Sequence, residues 1–149
     1  MSTIPVIFVG HGGYPNGVLD AVEMILGAQP HVAAVSLAPD GSTEEVAEQV
    51  SSAIGRLGGT GHAALVLADL MGGSPSNAVG LLALRNPELH LVAGLNLPMV
   101  LEVLTSTADT AAELASVAEG AGRAGVVDVA ARLRAAAAAS QSGSSRSGA

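Results

Sequence analysis

One histidine set among glycines is the residue of this chain best suited to chemistry. His11 follows Gly10 and precedes Gly12 and Gly13, and such small neighbours allow a ligand to approach closely. Imidazole is a nucleophile near neutral pH, because one ring nitrogen can attack while the other donates a hydrogen bond that fixes the tautomer. The pattern predicts nucleophilic chemistry at His11.

Asp69 is the acid that would orient this imidazole. It directly follows the apolar run at residues 64–68 and precedes the glycine pair Gly72 and Gly73. An Asp in this place can also serve as a turn or capping residue. However, a carboxylate that ends a buried run needs a polar partner. We therefore expect Asp69 to lie beside His11.

The sequence GGSPSN at residues 72–77 predicts a helix start that suits an anion. Ser74 is expected to cap this helix, and Pro75 fits its first turn, where a missing N–H costs nothing. The free N–H groups and the positive dipole end of such a start favour phosphate. The residues expected to hold a phosphoryl group are Gly12, Gly73, Ser74 and Ser76.

The remaining histidines show no pattern of metal ligands. His31, His62 and His90 precede or open other predicted strands, so we expect them at the edge of the sheet opposite His11. The sequence has no HxxxH or HxxE spacing, no P-loop and no dinucleotide fingerprint. We therefore expect neither a metal nor a cofactor.

Apolar runs alternate with amphipathic helix patterns and predict an α/β domain. Strands are expected at residues 4–9, 32–37, 63–68 and 89–93. Right-handed crossovers between them give an open, mainly parallel sheet with helices on both faces. Contact between His11 and Asp69 requires the first and third strands to be neighbours. The expected order is therefore 2-1-3-4, with the site at the switch point.

The C-terminal part of the chain is harder to assign. Residues 126–129 fit either a short strand or the start of a helix, and residues 130–139 favour a helix. Residues 140–149 are rich in Ser and Gly, which is typical of disorder. We expect one domain over residues 1–139 and a disordered tail after it.

Composition narrows the possible function. The chain has 149 residues, of which 49% are hydrophobic, and carries a net charge of −7. It has six Arg and Lys residues in total, too few for the basic surface that nucleic-acid binding needs. It has no cysteine, no N-terminal signal pattern and no stretch long enough to span a membrane. We expect a cytoplasmic protein.

Five stretches together resemble the IIA component of mannose-type sugar phosphotransferase systems. They occur in the family's order and span residues 4–129, nearly the whole predicted domain. The GGSPxNA and GxNxP pieces are fairly specific in combination. The stretches are residues 9–12, residues 22–27, Asp69 with residues 72–78, residues 93–99 and residues 122–126.

The resemblance implies a phosphoryl carrier. His11 would be phosphorylated on Nε2 by the histidine-containing phosphocarrier protein, while Asp69 orients its Nδ1. The phosphoryl group would then pass to a IIB component and to sugar entering through a membrane complex of IIC and IID components. The resemblance also implies a homodimer, often with an exchanged C-terminal antiparallel strand. Family members often carry an aromatic residue where this chain has Gly13 and Met71.

Other functions fit parts of the same pattern. A tetrapyrrole chelatase can also end its first strand in a VGHG-like segment, but it needs further metal-handling residues beside the histidine. A phosphotransferase subunit of dihydroxyacetone kinase shares the fold and the histidine, although the GGSPxNA loop is not expected there. A regulatory module whose phosphorylation state a partner senses also remains open.

Overall fold

The computed structural model describes residues 2–58 and 62–147 as four strands and six helices. The strands are β1 (Val6–His11), β2 (Val32–Leu37), β3 (Ala64–Ala68) and β4 (Leu89–Ala93). The helices are α1 (Tyr14–Leu26), α2 (Thr43–Arg56), α3 (Ser74–Arg85), α4 (Leu97–Thr105), α5 (Ala111–Ala124) and α6 (Val129–Ser147). None of these described helices is both long and apolar enough to cross a membrane.

The strands form one parallel sheet in the order β2-β1-β3-β4. This arrangement confirms the predicted order and places β1 and β3 at the centre. Phe8 of β1 lies opposite Ala34 of β2 and Leu67 of β3. The carboxyl ends of the two central strands therefore meet at one edge of the sheet, where the chain reverses the direction in which strands are added.

Side chains of each strand alternate between two hydrophobic cores, as the period of a β-strand requires. Val6 and Phe8 face the core built with α1, α4 and α5. Ile7 and Val9 face the core built with α2 and α3. All four side chains are fully buried. The prediction of helices on both faces is confirmed, and the cores are almost entirely aliphatic.

Some predicted boundaries differ from the structure. β1 extends to His11, two residues beyond the predicted end, and α1 begins at Tyr14 with Pro15 in its first turn. Ser74 does not cap α3: the capping residue is Gly73, and no side chain accepts a hydrogen bond there. The reason is that the helix already includes Ser74, which therefore lies in its first turn.

The C-terminal segment forms no strand in the described part of this chain. Residues 126–128 are irregular, and α6 follows at Val129. Each side chain from Val126 to residue 142 is exposed, so this part of the chain buries no side chain against the domain. The exchange of a strand with a second subunit is not confirmed and stays a prediction. The boundary at residue 139 with a disordered tail also stays a prediction, although α6 reaches Ser147; residues 148 and 149 lie outside the described residues.

Candidate functional site

The end of β1 brings His11 into direct contact with Asp69. His11 is the last residue of β1, and Asp69 directly follows β3, whose Ala68 lies opposite Val9. The imidazole Nδ1 lies 2.6 Å from Oδ2 of Asp69. The backbone N–H of His11 donates to the same oxygen at 2.9 Å. The contact predicted from the sequence is therefore confirmed.

Hydrogen bonds keep the Asp69 carboxylate ionised despite its burial. Burial alone would raise the pKa of Asp69, but the hydrogen bonds from the His11 side chain, the His11 backbone and the Leu70 backbone outweigh it. The pKa therefore lies below its ordinary value. The Leu70 N–H donates to Oδ1 at 2.9 Å, so both carboxylate oxygens accept hydrogen bonds. A charged acceptor held in this way is a fixed anchor for the imidazole.

This anchor determines which nitrogen of His11 is available for chemistry. An ionised carboxylate can only accept hydrogen bonds, so Nδ1 of His11 must carry a proton. In the neutral ring the lone pair then lies on Nε2. The side chain of His11 is 50% exposed whereas that of Asp69 is 11% exposed. The nitrogen able to act as a nucleophile therefore belongs to a half-exposed side chain, whereas the acid that orients the ring is largely buried.

The start of α3 lies beside the imidazole. A Cβ added to Gly73 would lie 3.1 Å from Cε1 of His11, so only a residue without a side chain fits this approach well. Pro75 occupies the first turn of α3, where its fixed φ favours the helix. The positive end of the α3 dipole is thus adjacent to the reactive ring.

The predicted phosphate-binding residues differ in whether their N–H and O–H groups already donate hydrogen bonds within the protein. The N–H groups of Ser74 and Ser76 make no hydrogen bond among the described residues, as expected in a first helical turn. The Ser76 hydroxyl is buried and donates to the Gly73 carbonyl at 3.1 Å. The Gly12 N–H donates to the Leu37 carbonyl at 3.2 Å. Donors from α3 are therefore more available than the donor of Gly12.

The described residues contain no group of three or more side chains able to hold a metal ion. His31, His62 and His90 lie at or just before the amino ends of β2, β3 and β4. They are therefore at the edge of the sheet opposite His11, as the sequence predicts.

Two residues near the site have contacts that sequence reasoning missed. The hydroxyl of Tyr14 donates to the carbonyl of Leu95, which ties the start of α1 to the loop after β4. Gly10 lies against the Asp69 carboxylate. The only signal for Tyr14 in the sequence is its rarity, since the chain has one Tyr and one Phe.

Comparison with known proteins points to one family. Residues 5–119 match the sequence profile described as the fructose IIA component of the phosphotransferase system (PTS). The chain is 32% identical over 126 residues to the mannose-specific EIIAB component of the PTS of Escherichia coli (strain K12). The matched region covers 83% of this chain and 39% of that protein. It is also 35% identical over 100 residues to the sorbose-specific EIIA component of the PTS of Lacticaseibacillus casei, covering 66% of the chain and 70% of that protein. The chain thus spans 39% of the length of the E. coli protein and 70% of the length of the L. casei protein.

Solved structures give the same result. A mannose/sorbose-specific IIA subunit from Enterococcus faecalis superposes with a TM-score of 0.77 at 29% identity, covering 85% of this chain and 94% of the other. A PTS component EIIA from Streptococcus agalactiae gives a TM-score of 0.78 at 27% identity, covering 86% and 98%.

Proposed function

The chain belongs to the IIA family of mannose-type sugar phosphotransferase systems, and we propose that it carries a phosphoryl group on Nε2 of His11. The group would come from the histidine-containing phosphocarrier protein and pass to a IIB component. The relatives are described as specific for mannose, sorbose or fructose, so the proposed destination is a sugar of this kind. The family assignment favours this role over a tetrapyrrole chelatase.

The observation that carries the proposal is the 2.6 Å contact between Nδ1 of His11 and Oδ2 of Asp69. It leaves Nε2 with its lone pair on the exposed side of the ring. In the proposed step, Nε2 attacks phosphorus and a new N–P bond forms while the P–N bond of the donor histidine breaks. The proton on Nδ1 stays in place throughout. No metal and no cofactor takes part in this scheme.

Asp69 contributes by charge as well as by orientation. When Nε2 gains a phosphoryl group and Nδ1 keeps its proton, the ring becomes cationic. The carboxylate beside Nδ1 stabilises that positive charge, as a buried acid does for an imidazolium in other nucleophilic sites. Phosphoryl transfer depends chiefly on positioning and electrostatics. The His11–Asp69 pair would supply most of both.

The start of α3 is the proposed cradle for the transferred group. A phosphoryl group has a charge of about −2 near neutral pH and favours N–H groups at the positive end of a helix. We assign this role to the N–H groups of Gly73, Ser74 and Ser76. Gly12 would line the cradle from the other side; its φ of +53° is a conformation that favours glycine.

The proposed setting follows from this role. The partners are the phosphocarrier protein and the IIB component, with an indirect link to a membrane complex of IIC and IID components. Such a relay operates in the cytoplasm, where we place the chain. The net charge of −7 is unfavourable for nucleic acid, and no such partner is proposed. A homodimer is proposed as well.

Labelling by the phosphoenolpyruvate-dependent relay tests the proposal. The parent protein should acquire one phosphate that is labile in acid and stable in base, as expected for phosphohistidine. His11→Ala should lose it, whereas the control variant His90→Ala should keep it, because His90 lies at the opposite edge of the sheet. Full labelling of His11→Ala would overturn the assignment.

A further inference from the structure

Gly10 lies against the carboxylate that holds the imidazole. A Cβ added to Gly10 would lie 3.0 Å from both Cγ and Oδ2 of Asp69 and 3.1 Å from its Cβ. Favourable contacts between carbon atoms are longer, at about 3.5–4.0 Å. The carboxylate therefore occupies space that any other residue at position 10 would fill with its own side chain.

Asp69 has little freedom to move away from such a side chain. Its Oδ2 accepts from the N–H and Nδ1 of His11 at 2.9 and 2.6 Å, and its Oδ1 accepts from the Leu70 N–H at 2.9 Å. A shift that relieved a clash with position 10 would lengthen at least one of these bonds. Charge-assisted hydrogen bonds of this kind depend strongly on their geometry.

The conformation of the backbone does not explain the glycine. The φ of Gly10 is outside the left-handed region, in contrast to that of Gly12. Gly10 lies within β1, opposite Ser36 of β2, where an extended alanine is acceptable. Its missing Cβ is the feature that matters, and the nearest atoms to that position all belong to Asp69.

We infer that Gly10 is a positioning residue for phosphoryl transfer, because its missing Cβ provides the space from which Asp69 holds His11. The inference rests on the proposed role of His11 as phosphoryl carrier. This role differs from that of letting a ligand approach His11, because the atoms that a Cβ on Gly10 would meet belong to Asp69.

Gly10→Ala tests the inference directly. The added methyl group should displace the carboxylate by a few tenths of an ångström and slow phosphorylation of His11 about tenfold, since smaller misplacements cost less than the roughly hundredfold effect of 1 Å. Gly17→Ala is the matched control, because no atom lies within 4 Å of its Cβ and transfer should continue at the parent rate. Circular dichroism checks that both variants fold.

A double-mutant cycle separates positioning from a general structural effect. In the Asp69→Ala background the carboxylate is gone, so the methyl group of Gly10→Ala meets only the Cβ of residue 69, 3.1 Å away, and can displace no hydrogen bond to His11. The second substitution should then leave the residual transfer rate unchanged, and non-additivity of this kind indicates two residues that act together. A tenfold loss in both backgrounds would overturn the inference.

Nitrogen NMR of the imidazole provides a test that does not require phosphorylation. With ¹⁵N-labelled histidine, the parent should show His11 protonated on Nδ1, whereas Gly10→Ala should show mixed tautomers or faster exchange of that proton. If the parent is never phosphorylated but this spectral change occurs, the proposed function fails and the effect of Gly10 on the His11–Asp69 pair stands. Parent-like spectra and parent-like transfer in Gly10→Ala would overturn the inference alone.

Discussion

At the scale of single residues, the site combines a half-exposed histidine, the proposed nucleophile, with an almost buried acid. Such an arrangement keeps the Asp69 charge close to the ring, where screening by solvent is weak. The imidazole is half exposed, which suits the proposed transfer from a protein donor.

Asp69→Asn should leave the fold intact and slow phosphoryl transfer. The amide oxygen can still accept a hydrogen bond, but it no longer stabilises the cationic phosphorylated ring and can favour the wrong tautomer. The equivalent change in a serine protease triad costs about 10⁴-fold, and we expect a smaller loss because phosphoryl transfer relies more on positioning. The measurement is the rate of labelling from the phosphocarrier protein.

Asp20→Asn is a suitable control for Asp69→Asn, because Asp20 is an exposed residue of α1. It should transfer phosphate at the parent rate. If Asp69→Asn also transferred at that rate, the acid would have only a structural role.

Gly73→Val should abolish phosphorylation of a protein that still folds. The φ of Gly73 is −79°, so the backbone tolerates a side chain. However, the first atom of that side chain would already lie 3.1 Å from Cε1 of His11. Ser74→Ala should reduce labelling only modestly, since its N–H remains. The measurement is the phosphorylated fraction at a fixed donor concentration, with circular dichroism as the folding check.

Gly80→Val is the matched control for Gly73→Val, because Gly80 lies in the same helix with open space around its Cβ position. It should be phosphorylated as well as the parent. Parent-like labelling of Gly73→Val would show that the phosphoryl group is held elsewhere than at α3.

At the scale of elements, the central part of the fold could be read from the sequence. Continuous apolar runs such as residues 64–68 have no exposed face and therefore indicate buried parallel strands. The position of His11 and Asp69 after two such runs was enough to predict their contact and the strand order. The role of Gly10 could not be predicted, because the space around a missing side chain depends on the neighbouring strand.

Two features were not assigned correctly from the sequence alone: the first residue of α3 and the structure of the chain after Gly125. Serine is a residue type that often caps helices, but Gly73 is the capping residue of α3, because the helix starts at Ser74, one residue before the predicted start. The region after Gly125 has a sequence compatible with strand or helix. Its outcome depends on packing, and the side chains from Val126 to residue 142 are all exposed.

The loop before α4 connects two motifs of the family through Asn96. Its Oδ1 accepts from the Met99 N–H at 2.9 Å and caps α4, while its Nδ2 donates to the Gly122 carbonyl of α5 at 3.0 Å. A Cβ on Gly122 would lie 2.6 Å from Cε of Met99. The GxNxP and C-terminal glycine motifs therefore join α4 to α5.

Asn96→Ala should destabilise the fold more than the loss of an ordinary helix cap. The loss of a cap costs about 1 kcal/mol, and the Gly122 carbonyl would lose its donor as well, for about 1 kcal/mol more. Thr110→Ala is the control, because Thr110 caps α5 through the Glu113 N–H alone. Urea unfolding measures both, and an equal loss in the two variants would contradict the double role of Asn96.

At the scale of the whole molecule, several large apolar residues are exposed. Met71 is 87% exposed and Leu84 83% exposed beside β4, whose outer edge pairs with no strand in the described chain. Val126, just before α6, is 80% exposed, and Leu133, within α6, is 66% exposed. Free sheet edges and exposed apolar side chains favour association. The exposed segment from Val126 to residue 142, here called the C-terminal arm, is suited to reach a second copy of the chain.

The final prediction is a homodimer that depends on this arm. The full chain should be dimeric at micromolar concentration, and a chain ending at Gly125 should be monomeric or dissociate more readily, because it lacks Val126 and α6. Gly125 is retained since its Cβ position lies 2.5 Å from Pro98, which shows that this residue packs within the domain. A chain ending at residue 139 is the control and should remain dimeric, because it keeps Val126 and Leu133.

Sedimentation velocity distinguishes the monomer from the dimer, and the melting temperature of a true dimer should also rise with protein concentration. A full chain that stays monomeric, or a dimer unaffected by the cut at Gly125, would contradict the role of the arm.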